Sequence, residues 1–383
     1  MQDKKLPTRL FFFGAGASRS CGLPLSSELY DALQNPGKYN IDFSDSQFPL
    51  LQNIFDLKRG ESLFIIDLLG KTAETGLAKL ETAFNTLTAI RQGMVIHPGL
   101  SKENATQYFQ SICFCFDIIL HSKYNKNSRS YPYFNFSGKL LELPGWSTII
   151  STNWDYLLDI HLDTAAGNNA VIDWGVGSPD TQIWTAAIEL MAQHCWEEEN
   201  KPFISFYKPN GSVGWYHCEN DNLVFALHFY SPYNLHTVRQ MNEIKRLNSV
   251  MAGPNKDQLI DLFACPKCER PMRADALHVP GISRKQHPLY DIMFINIRKA
   301  VLACDEITFI GYSCPDEDAD LVTYISEALK ENDKYNNRTL IPKVVDIKGV
   351  HNKALIEKYE TMFGRKIDFY DQGFTEWMKT YFV

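Results

Sequence analysis

The sequence has no apolar run long enough to span a membrane, and its start, MQDKKLPTRL, lacks the apolar core of a signal peptide. It also has no block of about five or six like charges. The 38 Lys and Arg against 45 Asp and Glu give a formal net charge of −7. An acidic chain without a basic block is not expected to bind nucleic acid directly. These absences predict a cytoplasmic protein with no membrane contact.

Cysteine spacing gives little sign of a disulfide framework. The chain has nine cysteines in 383 residues, and an odd number in a chain of this length is typical of a reducing compartment, where cysteines are buried side chains or metal ligands. Only Cys265 and Cys268 stand at C-x-x-C spacing. The chain has no internal repeat, and its length allows one large domain with insertions or two domains around a shared core.

Short apolar runs rich in β-branched and aromatic residues recur in the first and last thirds of the chain. They predict strands over 10–13, 148–151, 204–208, 307–312, 344–347 and 367–370. Several runs are followed by glycine or small polar residues and then by a helical pattern. This order predicts an α/β fold, a Rossmann-like parallel sheet with crossover helices, in which ligands bind beyond the carboxyl ends of the strands.

Two stretches between the predicted strands have a different pattern. Apolar residues recur at helical spacing in two series: Leu77, Leu80, Phe84, Leu87 and Ile90, then Phe109, Ile112, Phe116, Ile119 and Leu120. They predict a large helical insertion over residues 30–143. A second, smaller insertion over residues 210–290 has weak periodicity, many aromatic residues and the single C-x-x-C pair.

The stretch LFFFGAGASRSCGLP, residues 10–24, begins with a predicted strand and continues with glycines and small residues that leave the backbone almost bare. With only the methyl group of Ala15 between Gly14 and Gly16, main-chain N–H groups could approach a diphosphate closely. The alternative is a plain tight turn. The next glycine is Gly22, six residues after Gly16, so the spacing departs from the dinucleotide fingerprint G-x-G-x-x-G.

Four segments that follow predicted strands stand in a specific order: GAGASRSCGLP, STNWD at 151–155, KPNGSVGW at 208–215 and FIGYSCPDEDADL at 309–321. Together they resemble the sirtuin superfamily, and specifically its bacterial sirtuin-like branch, whose members cleave NAD rather than deacylate proteins. The resemblance covers the sheet-forming parts of the chain and not the helical insertion. It implies an NAD+ hydrolase that releases nicotinamide and ADP-ribose.

The resemblance also implies roles for individual residues. The residues that would hold the diphosphate of NAD are Gly14, Ala15, Gly16, Ala17, Ser18, Gly22, Leu23 and Pro24. Asn153 and Asp155, with Thr152, would border the nicotinamide ribose, where a carboxylate favours the positive charge of an oxocarbenium-like transition state. The alternative for Asn153 and Asp155 is a cap at the start of the next helix.

The fourth segment is expected to face the adenosine half of NAD. Gly311, Tyr312 and Ser313 would lie near its phosphate and ribose, and Asp346 could accept hydrogen bonds from the ribose hydroxyls. Acidic residues follow at 316–318 and 320, and for most of them the alternative role is to favour a helix N-terminus. For Asp346 the alternative is an ordinary surface aspartate at a strand end.

The third segment departs from the family, which has a histidine as general base where this chain has Asn210. A neutral amide cannot take a proton at physiological pH, and loss of a general base typically slows a reaction by about 10²- to 10⁴-fold. The enzyme is then slow, draws a base such as His217 from elsewhere, or binds NAD without cleaving it. We expect Asn153 to position water and Asn210 to bind the ribose, so that Asn153, Asp155 and Asn210 form the catalytic set.

The first segment departs from the protein-deacylating sirtuins, which continue with Asp-Phe-Arg where this chain has Leu25-Ser26-Ser27. Together with the large insertion, this ranks deacylation last. The NAD-cleaving branch resembles effectors of bacterial antiphage defence. The resemblance therefore implies a restrained activity and either a homo-oligomer or a partner such as an ATPase or a nucleic-acid sensor. The other reading is a regulatory module that binds NAD or ADP-ribose.

Cys265 and Cys268 indicate one half of a zinc site, since two thiolates at this spacing can bind one tetrahedral ion. Sirtuins place the second half of their zinc module here. In place of a first C-x-x-C, the chain offers Cys218, with Asp221 or His217 as the fourth ligand. A module that has lost its metal is an equal alternative, and any zinc bound here would be structural.

Overall fold

A computed structural model gives the fold of residues 7–39, 51–71, 75–122, 132–167, 169–175, 192–195, 201–213, 215–218, 220–221, 223–226, 263–264, 268–272, 289–347, 349 and 352–382. Its core is one seven-stranded sheet in which all neighbouring strands are parallel. The predicted α/β fold with a Rossmann-like parallel sheet is therefore confirmed.

The seven strands are β1 (Thr8–Phe13), β2 (Trp146–Ser151), β3 (Val171–Asp173), β4 (Phe203–Tyr207), β9 (Glu306–Ile310), β10 (Lys343–Val345) and β11 (Asp368–Tyr370). All six predicted strands are present, with ends shifted by one or two residues. The unpredicted strand is β3, a three-residue edge strand. The order across the sheet is β11-β10-β9-β1-β2-β4-β3.

The central strand β1 separates two hydrophobic layers, because its side chains alternate between the faces of the sheet. Leu10 and Phe12 belong to the cluster on one face, and Phe11 and Phe13 to the cluster on the other. All four side chains have zero exposure. Burial on both faces explains why this strand is a continuous apolar run rather than an alternating one.

The face that contains Phe11 and Phe13 is covered mainly by helices from the segment between β1 and β2. They are α1 (Ala15–Arg19), α2 (Ser26–Gln34), α3 (Leu51–Leu69), α4 (Gly76–Arg91), α5 (Lys102–Ser122) and α6 (Pro132–Leu140), joined on this face by α7 (Leu157–Ala166) and α11 (Gly373–Tyr381). The predicted apolar series from Leu80 to Ile90 and from Phe109 to Leu120 are buried in α4 and α5. The side chain of Leu77 lies outside the described residues.

The opposite face packs against α8 (Tyr290–Ala303), α9 (Ala319–Asn336) and α10 (Asn352–Phe363). Helices on both faces of a parallel sheet are the architecture that crossover connections produce. Among the helices described, none combines the length and apolarity needed to cross a bilayer.

Short strands mark the second predicted insertion. They are β5 (Trp215–Cys218), β6 (Leu223–Ala226), β7 (Phe263–Ala264) and β8 (Pro271–Met272), which form two antiparallel pairs. Most of residues 210–290 lie outside the described residues. The boundaries 30–143 and 210–290 remain predictions.

The order of the strands creates a switch point between β1 and β9. The chain leaves β1 toward β2 on one side, and later runs from β9 to β10 on the other side. In open α/β sheets, ligands bind beyond the carboxyl ends of the strands at such a point. The first and fourth sequence segments, which follow β1 and β9, therefore flank this position.

Candidate functional site

The loops that follow β1 and β9 pack directly against each other. The Gly14 N–H donates to the Ile310 carbonyl at 3.0 Å and the Gly16 N–H to the Gly311 carbonyl at 2.9 Å. A Cβ on Gly311 would lie 2.2 Å from the nitrogen of Ala17, and one on Gly14 would lie 2.5 Å from the Cα of Tyr312. The bare backbone is therefore needed for contact between the two loops. Two of the amides expected to face a diphosphate are engaged within the protein.

The rest of the first segment turns around α1. Ala15 is half-buried and Gly16 is exposed, so the start of α1 faces outward at the carboxyl edge of the sheet. Gly22 has φ +85°, a conformation that favours glycine. Leu23 is buried and its N–H donates to the Ser18 carbonyl at 3.3 Å. Pro24 is half-buried at the entrance to α2.

Asn153 lies just beyond β2, and its side chain reaches back to the loop after β1. Nδ2 donates to the Gly14 carbonyl at 3.0 Å and to Ser18 Oγ at 2.8 Å, and it lies 3.4 Å from the Tyr133 hydroxyl. The residue is 6% exposed. Its Oδ1 is buried and accepts no hydrogen bond within the described part of the chain. A buried amide oxygen in this state is an acceptor suited to a ligand hydroxyl or a water.

Ser18 connects Asn153 to a carboxylate. Its Oγ donates to Asp155 Oδ2 at 2.7 Å and lies 2.9 Å from the hydroxyl of Tyr133 on α6. A serine has one hydroxyl proton. When Asp155 is ionised that proton is committed to the carboxylate, so Tyr133 is the donor toward Ser18. Four residues from three parts of the chain thus form one buried polar network.

Asp155 has two roles at once. Oδ2 takes part in the network, and Oδ1 accepts from the Leu157 N–H at 3.0 Å where α7 begins. The N-cap residue of α7 is Tyr156, so Asp155 binds the first N–H of the helix from one position before the cap. Burial raises the pKa of this carboxyl, and the positive charge of Lys208 opposes the shift.

A buried ion pair that no sequence pattern predicted lies next to Asp155. Lys208 follows β4 and has zero exposure, and its Nζ lies 3.2 Å from Oδ2 of the buried Asp159. Nζ also donates to the Asp155 carbonyl and, at 2.8 Å, to Ser212 Oγ. Burial raises the pKa of Asp159, and the charge of Lys208 opposes this. A lysine directly after an apolar strand was the available sequence indication, but its partner could not be read from the chain.

Asn210 and Thr152 meet at the ends of β4 and β2. Asn210 is 4% exposed, and its Nδ2 donates to the Thr152 carbonyl at 3.1 Å. The Thr152 N–H donates to the Phe13 carbonyl at 3.0 Å. Asn210, which stands where a histidine was expected, is therefore hydrogen-bonded to the segment that contains Asn153.

The fourth segment is anchored by its tyrosine. The buried Tyr312 hydroxyl donates to Asp318 at 2.8 Å, while Ser313 is exposed. Residues 316–318 form a 3₁₀ turn before α9, and Asp320 lies in the first turn of that helix, where acidic residues favour the helix dipole. Glu81 of α4 is near this turn: burial, then the charges of Glu317 and Asp318, raise its pKa to about 7.

Asp346 directly follows β10 and is half-buried. Its Oδ1 accepts from the Ile347 N–H at 2.7 Å, and burial raises the pKa of the carboxyl. It lies at the same sheet edge as the other residues, two strands from β1. Within the described part of the chain, none of its hydrogen bonds joins it to the network around Asn153.

The predicted metal ligands come together in part. Cys218 Sγ lies 3.6 Å from Cys268 Sγ and 3.7 Å from Asp221 Oδ2. Ligand atoms of these three residues all lie within 4.8 Å of one another, so the group could hold a metal ion. Cys265, the other predicted thiolate, lies outside the described residues.

No model of a protein family matches the chain, and no curated protein matches it.

Proposed function

We propose that the protein binds NAD+ at the switch point between β1 and β9 and hydrolyses it to nicotinamide and ADP-ribose. The observation that carries the proposal is the Asn153 side chain, whose Nδ2 is held by the loop after β1 while its buried Oδ1 is left as an acceptor. The resemblance of the four segments to the bacterial sirtuin-like branch supplies the substrate class.

The charges near Asn153 suit this reaction. Hydrolysis breaks the bond between C1′ and the nicotinamide nitrogen, whose electron pair stays on the departing ring, and water then supplies the new C1′–O bond and releases a proton. Positive charge develops on the ribose in such a step. The buried charged groups here are two carboxylates, those of Asp155 and Asp159, and one ammonium, that of Lys208. With both acids ionised the local charge is negative, which stabilises the developing cation.

Asn210 sets the limit on the rate. Its neutral amide cannot act as a base. The reaction then depends on the nicotinamide ring leaving before water attacks, because such a step needs little activation of the water. The same residue supports a second candidate, a module that binds NAD or ADP-ribose and regulates a partner, because the buried amide is tied to the Thr152 carbonyl. Protein deacylation ranks last.

Nicotinamide release by the purified full chain tests the two candidates. We expect slow release from NAD+ that falls by about 10²-fold in Asn153→Ala. Tight NAD+ binding with no release above background, alone or with a partner protein, would instead identify the regulatory module. Absence of both binding and release would contradict both candidates.

Regulation is a further part of the proposal. An NAD-depleting enzyme must be restrained in the cell, and the resemblance to antiphage effectors points to a homo-oligomer or to a partner such as an ATPase or a nucleic-acid sensor. The helices between β1 and β2 cover most of one face of the sheet, and we propose that a partner binds their outer side. Size measurement of the purified protein with and without NAD+ tests the oligomer.

We also propose that Cys218, Cys268 and Asp221 hold a structural zinc ion, with Cys265 as the fourth ligand. Two thiolates and a carboxylate are an acceptable zinc ligand set. In such a role the metal would hold β5 near the segment that contains Cys268, and would take no part in the chemistry.

A further inference from the structure

Tyr133 links the helical segment to the residues at the end of β2. It lies on α6 with zero exposure, and its hydroxyl contacts Ser18 Oγ at 2.9 Å and Asn153 Nδ2 at 3.4 Å. Burial raises the pKa of this hydroxyl well above its usual value. Tyr133 is therefore a neutral hydrogen-bonding group throughout the physiological range.

A count of donors and acceptors fixes the direction of every hydrogen bond in the network. The Asn153 amide has two N–H donors, and Gly14 offers a carbonyl that can only accept. With Asp155 ionised, Ser18 gives its single proton to that carboxylate. Ser18 Oγ therefore accepts from Tyr133 and from Asn153.

This arrangement prevents the Asn153 amide from turning over. A flipped amide would place Oδ1 against the Gly14 carbonyl and Ser18 Oγ, so that two acceptors would face each other without a proton between them. Oδ1 is thereby held as an acceptor, and no residue that the structure describes donates to it. A ligand must bring the donor.

We infer that Tyr133 is a positioning residue for Asn153: its hydroxyl, in contact with both Ser18 Oγ and Asn153 Nδ2, helps to hold the amide so that Oδ1 accepts from a hydroxyl or water at the proposed NAD site. The inference deepens the proposed function and rests on it only for the effect on turnover. The orientation of the amide is a property of the protein without ligand.

A simple packing role for Tyr133 makes a different prediction. Its ring contacts those of Phe13 and Phe374, with centroids 5.7 Å and 5.8 Å away. Tyr133→Phe keeps these ring contacts and removes only the hydroxyl. Tyr207→Phe is the matched control, because Tyr207 is 1% exposed and its hydroxyl donates to Asp173 at 3.2 Å, outside this network.

The first experiment needs no substrate. Selective ¹⁵N labelling of asparagine in the full chain allows hydrogen exchange of the Asn153 side-chain amide to be followed by NMR, with Asn153→Ala assigning the signal. We expect exchange to be about tenfold faster in Tyr133→Phe, as for loss of one hydrogen bond, and unchanged in Tyr207→Phe. Equal exchange in wild type and Tyr133→Phe would overturn the inference.

The second experiment uses turnover. If the wild type releases nicotinamide, we expect Tyr133→Phe to lower kcat about tenfold with little change in KM, and Tyr207→Phe to leave both unchanged. Ser18→Ala should lower kcat by itself, and the double variant with Tyr133→Phe should lose less than the two single losses together, because both hydroxyls bind Asn153 in one network. Fully additive losses would refute this coupling. A wild type without turnover would contradict the proposed function alone, since amide exchange still decides the role of Tyr133.

Discussion

The Nδ2 group of Asn153, at the end of β2, donates to the carbonyl oxygen of Gly14, at the end of β1, across 3.0 Å. This bond joins two of the four sequence segments by a side chain rather than by the sheet alone. Because the Gly14 carbonyl cannot donate, the bond also determines which end of the Asn153 amide is available to a ligand.

Replacement of Asn153 by alanine should lower nicotinamide release by about 10²-fold, the scale of losing one oriented polar group in an active site. Asn332→Ala is the matched control, since Asn332 has zero exposure and its Nδ2 donates to three carbonyls, at 2.8, 2.9 and 3.0 Å, outside the site. Release should be measured per folded molecule, with the folded fraction taken from circular dichroism. Equal losses in the two variants would mean that Asn153 acts only on stability.

Restoring histidine at position 210 should raise turnover by about tenfold or more, because a general base contributes about 10²- to 10⁴-fold where it is well placed. The gain should disappear as pH falls below about 6.5, the ordinary pKa of histidine. Asn210→Gln, which keeps an amide, should show no gain. A histidine variant that folds but turns over no faster across pH 5 to 9, a range of about four units around that pKa, would show that the ribose lies elsewhere.

The fold was predictable because its main determinants are local. Each buried parallel strand is a short continuous apolar run, so six of the seven strands could be located from the sequence. Strand β3 was missed because three residues at the sheet edge, two of them half-buried, give too short a pattern. The helices between β1 and β2 were predictable from their apolar spacing.

The site was predictable only where its residues are contiguous. The glycine turn and the Asn153 segment each follow a strand, so their meeting at one sheet edge follows from parallel topology. The contacts of Tyr133 with Ser18 and of Lys208 with Asp159 join residues 115 and 49 positions apart. No local pattern encodes such pairs. The glycines themselves were interpreted as serving a ligand, whereas Gly14, Gly16 and Gly311 are also required by close backbone packing.

Removal of either cysteine of the metal group should abolish zinc binding. We expect about one zinc per chain in the wild type by elemental analysis, and a large loss in Cys218→Ser and Cys268→Ser, since structural zinc needs a complete tetrahedral shell. Cys304→Ser is the control, because Cys304 is buried with its Sγ near the Val301 carbonyl. Full zinc content in both ligand variants would contradict the assignment. Nicotinamide release should survive mild chelation if the metal is only structural.

The Lys208–Asp159 pair should be strongly coupled. Lys208→Met leaves Asp159 buried without its cation, and breaking a buried pair typically costs about 3–5 kcal/mol of unfolding free energy. Asp159→Asn alone should also destabilise the fold, but the double variant should lose less than the sum of the two. Urea unfolding of the four proteins measures the coupling. Additive losses would mean that the two charges do not stabilise each other.

The buried Asp117 of α5 should make stability depend on pH. Burial raises the pKa of its carboxyl from 3.8 to about 7, and Oδ1 has no hydrogen-bond partner in the described residues. Between these values the folded protein binds a proton that the unfolded chain does not. The contribution of this group to stability is therefore full below about pH 3.8 and is lost as pH rises toward 7, by about 1.4 kcal/mol per pH unit.

Asp117→Asn should remove this dependence, so that the variant gains stability relative to wild type as pH rises from 5 to 7, a gain of about 1.4 kcal/mol per unit. The comparison must be a difference between two proteins, because His161, whose pKa burial lowers to about 4, destabilises the fold as pH falls and acts equally in both. Parallel urea-unfolding curves for Asp117→Asn and wild type across this range would show that Asp117 ionises normally in the folded protein.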